Sequence, residues 1–253
     1  MNPFHKPGGG GSVWGPIAYD GKHLIFGTGN ACQNDISTAQ GAAALDLNGK
    51  MAWSFSAESN DAADDDTGGA VMVAGGVATF INKDGALYRL DATTGARLGA
   101  TPLGAGNTLG GFSSPASDGS ITLIGAGAIA DRANDASRTS DFCALLWHDH
   151  RALVRPHSGY HSAWRAVDSA GNILWSQETA LQNNSYAAVT GEVAFAGADS
   201  VLEALDVPSG RVLWSLPGAN TFYAGAAVVP SGVYATDVAG NVYAVSLRAN
   251  SAP

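Results

Sequence analysis

The densest chemistry in the chain is Asn60-Asp61-Ala62-Ala63-Asp64-Asp65-Asp66-Thr67-Gly68-Gly69, which places four carboxylates within six residues. Such a run repels itself unless a cation or solvent intervenes. Two of these groups beside a divalent ion would be held ionised. A solvated acidic loop is the ordinary alternative, and the residues alone leave both open. Upstream, Gly27-Thr28-Gly29-Asn30 closes an apolar run. Its amide is a neutral oxygen donor of the kind hard cations accept; equally, Gly and Asn suit a turn at a strand end. Lys83 stands in the turn-forming sequence Asn82-Lys83-Asp84-Gly85, and Trp14 follows a glycine-rich stretch, Gly9-Gly10-Gly11-Ser12-Val13.

A second concentration lies between about 128 and 162. It holds His148, His150, His157 and His161, four of the six histidines, together with Cys143 and Asp149. A His-x-His pair on a strand puts both rings on one face, a geometry open to a transition metal. The other spacings match no tight ligand motif, and Arg151 and Arg155 intervene, so the expectation is a surface loop. Insertions of this length often cover sites or bind partners. Cys32 and Cys143 are the only cysteines, which permits one disulfide and fixes no compartment.

These groups need a framework, and composition restricts it. The chain has 253 residues, 45% of them hydrophobic and only 14% charged, which suffices for a sizeable core. Its 33 glycines lack a three-residue period, so they belong to tight turns and not to collagen. With 22 acidic and 13 basic residues the net charge is −9, which disfavours a nucleic-acid face or adsorption to anionic lipid. No apolar run is long enough for a transmembrane helix, and the first residues show no secretory h-region.

One phrase recurs. It reads Ala44-Leu45-Asp46…Gly49…Trp53, Arg89-Leu90-Asp91…Gly95…Leu98, Ala166-Val167-Asp168…Gly171…Trp175 and Ala204-Leu205-Asp206…Gly210…Trp214, with a decayed copy at Tyr243-Ala244-Val245-Ser246. The Asp positions lie 45, 77 and 38 residues apart, and Ser246 follows 40 residues later. A unit of about 40 residues, with an insertion of about 35 in the third copy, accounts for the spacing. Each unit parses into four short strands separated by Gly or Asp turns. The first strands are expected at 13–19, 70–73, 112–116, 186–189 and 224–229. Trp53, Trp175 and Trp214 should pack between neighbouring sheets. The expectation is an all-β fold, a β-propeller of four-stranded antiparallel blades. It has about four complete blades and a partial fifth over 13–248, between a segment 1–12 and a tail 249–253. The missing strand suggests part of a larger, eight-bladed propeller, with an open edge that invites association.

The repeat phrase resembles that of the quinoprotein dehydrogenases, which use pyrroloquinoline quinone (PQQ), and the resemblance covers nearly the whole chain. It extends to non-catalytic propellers such as the outer-membrane assembly lipoprotein of Gram-negative bacteria, so the repeat alone implies fold and not activity. Three motifs are more specific. The segment from Gly9 to Gly15 resembles the one whose Trp forms the floor under the quinone, which would be Trp14. Gly27-Thr28-Gly29-Asn30 resembles the motif whose Asn binds Ca²⁺ or a lanthanide, which would be Asn30. The acidic run resembles Asp-x-Trp-Asp-x-Asp, implying Asp64 as catalytic base and Asp66 as an extra metal carboxylate. Lys83 matches a turn cation directed at the quinone oxygens. Two departures stand out: Ala63 replaces the family Trp, and Ala31-Cys32-Gln33 replaces an aromatic. There is no adjacent-cysteine pair and no Cys-x-x-Cys-His haem motif.

The resemblance thus implies oxidation of an alcohol or sugar by hydride transfer to metal-bound PQQ, outside the cytoplasm, by a chain carrying about half of the site. The alternative is a non-catalytic propeller serving as a protein-binding or envelope-assembly scaffold, its partner meeting the open edge.

Overall fold

Short β-branched and aromatic runs between Gly and Asp turns satisfy their backbone groups by pairing with one another. In the computed structural model they form five separate antiparallel sheets, each with its strands in sequence order. The structure describes residues 12–13, 15–29, 38–57, 66–104, 113–129, 160–179 and 185–246. The first blade comprises β1 (Ala18–Tyr19), β2 (His23–Thr28), β3 (Gly41–Asp46) and β4 (Met51–Ser56). The second comprises β5 (Met72–Ala74), β6 (Val77–Ile81), β7 (Ala86–Asp91) and β8 (Arg97–Pro102). The third comprises β9 (Ala116–Ser117), β10 (Ile121–Ile129), β11 (Tyr160–Asp168) and β12 (Ile173–Thr179). The fourth comprises β13 (Ala188–Thr190), β14 (Val193–Ala198), β15 (Val201–Asp206) and β16 (Val212–Pro217). The fifth sheet has three strands, β17 (Ala227–Val229), β18 (Gly232–Thr236) and β19 (Val242–Val245). No helix among the described residues is long and apolar enough to cross a membrane.

The repeat is visible in the register. In each complete blade the third and fourth strands slip by one residue at the same place, between Ala44 and Leu45, Arg89 and Leu90, Ala166 and Val167, and Ala204 and Leu205. The extra residue on the fourth strand is Ala52, Leu98, Leu174 or Leu213, and the three leucines are exposed. A bulge of this kind re-aims the next side chain. That side chain is Trp53, Trp175 or Trp214, which pairs across to Ala44, Ala166 or Ala204.

The Trp then reaches into the next blade. Trp53 Nε1 donates to the Ala92 carbonyl at 2.9 Å, and Trp175 Nε1 donates to the Val207 carbonyl at 2.8 Å. Each ring lies over the glycine of the Asp-x-x-x-Gly turn it meets. A Cβ on Gly95 would sit 2.7 Å from the Trp53 ring, and one on Gly210 would sit 2.6 Å from that of Trp175. Both glycines have positive φ, +72° and +74°, so space and backbone alike require Gly there.

The second blade solves the same problem differently. Its register puts Gly99, and not Leu98, at the Trp position, opposite Arg89. The Arg89 guanidinium occupies the space and donates to the carbonyls of Ser169 and, at 3.0 Å, Ala170 in the next blade. The turn it meets, Asp168 to Asn172, is one residue shorter than the two that seat a Trp. Leu98 is therefore a solvent-facing bulge residue, a correction to its place in the repeat phrase.

The first strands are shorter than the sequence suggests, two or three residues each. The segments before them divide their hydrogen bonds between their own blades and the neighbouring ones. Thr67 N–H donates to the Thr28 carbonyl, Ala70 N–H to Ser114 Oγ, and Ser113 Oγ to the Ser185 carbonyl. Ser185 Oγ continues to the Ala224 carbonyl. Backbone that serves a neighbour is lost to the local ladder.

The turn aspartates are held as carboxylates. The backbone N–H of Lys50 lowers Asp46, the Thr94 hydroxyl lowers Asp91 and the Asn172 amide lowers Asp168 below the usual carboxylate range. Desolvation would raise Asp237, but hydrogen bonds from Asn241, Tyr243 and Ala239 outweigh it and bring it to about 2. Depressed folded values mean that these groups stabilise fully above an unfolded pKa of about 3.9 and cease to do so as pH falls through the folded value. Melting temperature should therefore hold down to about pH 4 and decline between about pH 4 and pH 2; a flat acid profile would contradict the assignment. In urea denaturation, Trp53→Ala should cost about 3 kcal/mol or more, whereas Leu98→Ala should stay within about 0.5 kcal/mol. Equal costs would overturn the register.

Candidate functional site

β2, the second strand of the first blade, runs out through Gly27-Thr28-Gly29 because something else must approach it. A Cβ on Gly27 would lie 2.7 Å from the Thr67 side chain, and a Cβ on Gly29 would lie 2.5 Å from the Cβ and Oδ1 of Asp66. These two glycines admit the segment that follows the acidic run. On the other side, Ser12 pairs with Gly29 through both backbone bonds, at 2.6 and 3.1 Å, and its hydroxyl also donates to the Gly29 carbonyl. Gly15 lies against the carbonyl oxygens of Gly68 and Gly69.

Lys83 enters from the turn between β6 and β7. Its N–H donates to the Asp66 carbonyl at 2.9 Å, and its ammonium meets Asp66 Oδ2 at 3.0 Å. Asp66 is fully buried and Lys83 is only 4% exposed. Asn82 holds the turn from the other side, donating from Nδ2 to Thr67 Oγ1 and to the Gln40 carbonyl. Asp84 accepts from Tyr88 Oη at 2.5 Å and from the Ala86 N–H at 2.8 Å.

Of the five residues singled out in the sequence, Asp66 and Lys83 are therefore brought into direct contact. Trp14, Asn30 and Asp64 lie outside the described residues, as do Cys32, Cys143, His148, His150 and His157. What the structure does bring together is the described part of each motif: Ser12, Gly29, Asp66 and Lys83 form one connected group. Among the described residues no three His, Cys, Asp or Glu side chains gather as a metal set.

Sequence reasoning missed the polar lining. Thr28, Gln40, Thr67 and Asn82 are all buried here. Asn82 had a signal, since Asn82 to Ala86 closes the same turn that Asp237 to Asn241 closes in the fifth sheet. Gln40 had none: it is a lone amide before a run of small residues. Both of its side-chain polar atoms are buried without a hydrogen-bond partner among the described residues, on a backbone of positive φ, +60°.

No family model matches the chain, and no curated protein sequence matches it. Solved structures do. BamB from Moraxella catarrhalis superposes with a TM-score of 0.60 at 16% identity, over 92% of this chain and 61% of that one. The quinohemoprotein alcohol dehydrogenase from Comamonas testosteroni gives a TM-score of 0.63 at 18% identity, over 90% of this chain and 44% of that one. A europium-containing methanol dehydrogenase gives 0.59 at 18%, over 90% and 50%. The fold is a partial β-propeller. At these identities the likeness is one of fold, and it agrees with the PQQ-like repeat resemblance. The chain spans between 44% and 61% of the length of these structures.

The buried pair sets the local energetics. Removing one partner of such a pair strands a charge and costs about 3–5 kcal/mol, whereas replacing both with apolar groups is often close to neutral. Asp66→Leu should therefore destabilise by about 3 kcal/mol or more, and Asp66→Leu with Lys83→Met should recover most of that loss in urea denaturation. Additive losses would show that the two side chains do not act as a pair.

Proposed function

We propose that the chain is part of a quinoprotein-type dehydrogenase propeller that oxidises an alcohol or sugar, with the rest of the site supplied by further blades. The observation that carries this is the meeting of four motif segments, represented by Ser12, Gly29, Asp66 and Lys83, at one place in the fold. The propeller alone would bring these segments together; what it does not require is that they carry a buried carboxylate and ammonium there.

The described donors suit the implied groups in kind. A buried carboxylate, Asp66, offers the oxygen that a hard cation takes, and an ammonium, Lys83, offers the positive charge that anionic oxygens take. Asp66 and Asn30 would hold Ca²⁺ or a lanthanide, and Trp14 and Lys83 would hold PQQ. When bound, the quinone would accept the hydride from the substrate carbon while the metal polarises its oxygens. Asp64 would take the hydroxyl proton of the substrate. Burial of the Asp66–Lys83 pair keeps water from the charged groups and strengthens their fields. The same reading places the protein outside the cytoplasm.

A second reading, a protein-binding scaffold, has its own supporting feature. Between the fourth blade and the three-stranded sheet lies a cleft of about 390 Å³, lined by Val193, Phe195, Ala204, Trp214 and Val245. At the other end of β19 from Val245, Val242 is 71% exposed, and the strand is paired on one side only among the described residues. Such an edge can take an added strand from a partner.

Titration with PQQ and Ca²⁺ or La³⁺, followed by quinone absorbance and tryptophan fluorescence, decides between them. Saturable binding at micromolar concentration or tighter is expected of the dehydrogenase reading. Absence of binding in that range would remove the dehydrogenase reading for this chain on its own and favour the scaffold.

A further inference from the structure

We propose that Lys83 is the resident counter-ion of Asp66, and that a hard cation reaches Asp66 only by displacing the Lys83 ammonium toward an anionic ligand. The inference rests on the reading of Asp66 as a cation ligand and adds to it how the site is filled.

Three features make exchange necessary. The ammonium and Asp66 Oδ2 are 3.0 Å apart, and both side chains are buried, so a cation arriving at the same carboxylate would meet a like charge at close range in a poorly screened setting. Asp66 cannot turn away to share itself. The Gly29 backbone packs against its Cβ, Cγ and Oδ1, where even a methyl group would not fit. The Gly29 carbonyl, already accepting from Ser12, fixes that wall in place.

Two further features make exchange feasible. Lysine carries its charge on a flexible four-carbon stem. The base of that stem is pinned by the Lys83 N–H bond to the Asp66 carbonyl, so the ammonium can swing while the turn stays put. The carboxylate on the same turn, Asp84, is engaged by Tyr88 Oη and by the Ala86 N–H. That carboxylate is thus no open acceptor for an ammonium released from Asp66. Cation and anion then help one another, since each alone must break the pair and both together break it once. Linkage makes that help reciprocal.

The test uses a lanthanide alone. Binding of Tb³⁺ to the whole chain, measured by calorimetry, should be at least about tenfold tighter for Lys83→Gln than for wild type, because Gln keeps a hydrogen bond to Asp66 without the charge. Adding Asp66→Asn to Lys83→Gln should abolish the gain. Equal Tb³⁺ affinity in wild type and Lys83→Gln would overturn the exchange while leaving Asp66 as a ligand. No Tb³⁺ binding by either form would overturn the cation reading and the exchange together. Should Lys83→Gln not fold, the wild type still decides. Its Tb³⁺ affinity should rise at least about tenfold in saturating PQQ, and an unchanged value overturns the proposal.

Discussion

A single blade has two apolar faces and cannot bury both alone, so everything in this molecule depends on the joint between one blade and the next. That joint is built around an indole. A bulge on the fourth strand aims Trp53 or Trp175 out of its own sheet, and the next blade meets it with a glycine held at positive φ and a free carbonyl. The ring supplies apolar area and the indole N–H fixes its orientation. Both halves of the joint occur in one repeat phrase, as where the Asp206 to Gly210 turn that receives Trp175 leads directly into the strand that carries Trp214.

The second joint shows that the constraint is on shape and pairing rather than on residue identity. Between the second and third blades the Trp position is Gly99 and the facing Ala position is Arg89. The bulky group has moved across to the partner strand, and its guanidinium donates to carbonyls of the shorter turn. Large and small have changed places together. Either change alone would leave a hole or a clash.

How much of this was legible in the sequence follows from what each feature depends on. The blade number and strand order depend on a repeat, which a single sequence carries openly. The Leu98 misplacement arose because register depends on the bulge, and nothing in Arg97-Leu98-Gly99 announces that Arg89 substitutes for a Trp on another strand. The short first strands were misread because their apolar runs bond in part to neighbouring blades, a tertiary effect. Asp66 and Lys83 were each singled out by motif, but their contact was not: they are 17 residues apart, and only the folding of the segment before β5 along the β6–β7 turn of the same blade joins them. Gln40 left no trace, since a lone amide has no periodicity to betray its burial.

The glycines of Gly27-Thr28-Gly29 sharpen the distinction between fold and function. Their absence of side chains is fully accounted for by close approach of Thr67 and Asp66. A propeller with no cofactor would need the same clearance wherever a leading segment runs along the preceding blade, and Gly197 meets Phe222 and Ser185 in that way in the fourth blade. The Gly-Thr-Gly part of the motif therefore argues for architecture. What architecture does not require is a carboxylate and an ammonium buried together at that contact, because an apolar pair would fill the same space with less desolvation. At the corresponding place between the fourth and fifth sheets stand the uncharged Thr221 and Val238, joined by the same backbone bond, Val238 N–H to the Thr221 carbonyl at 3.0 Å, while Phe222 takes the place of Thr67. The first two blades instead carry a charged pair, and that difference, not the glycines around it, is where the chemistry of this chain is to be sought.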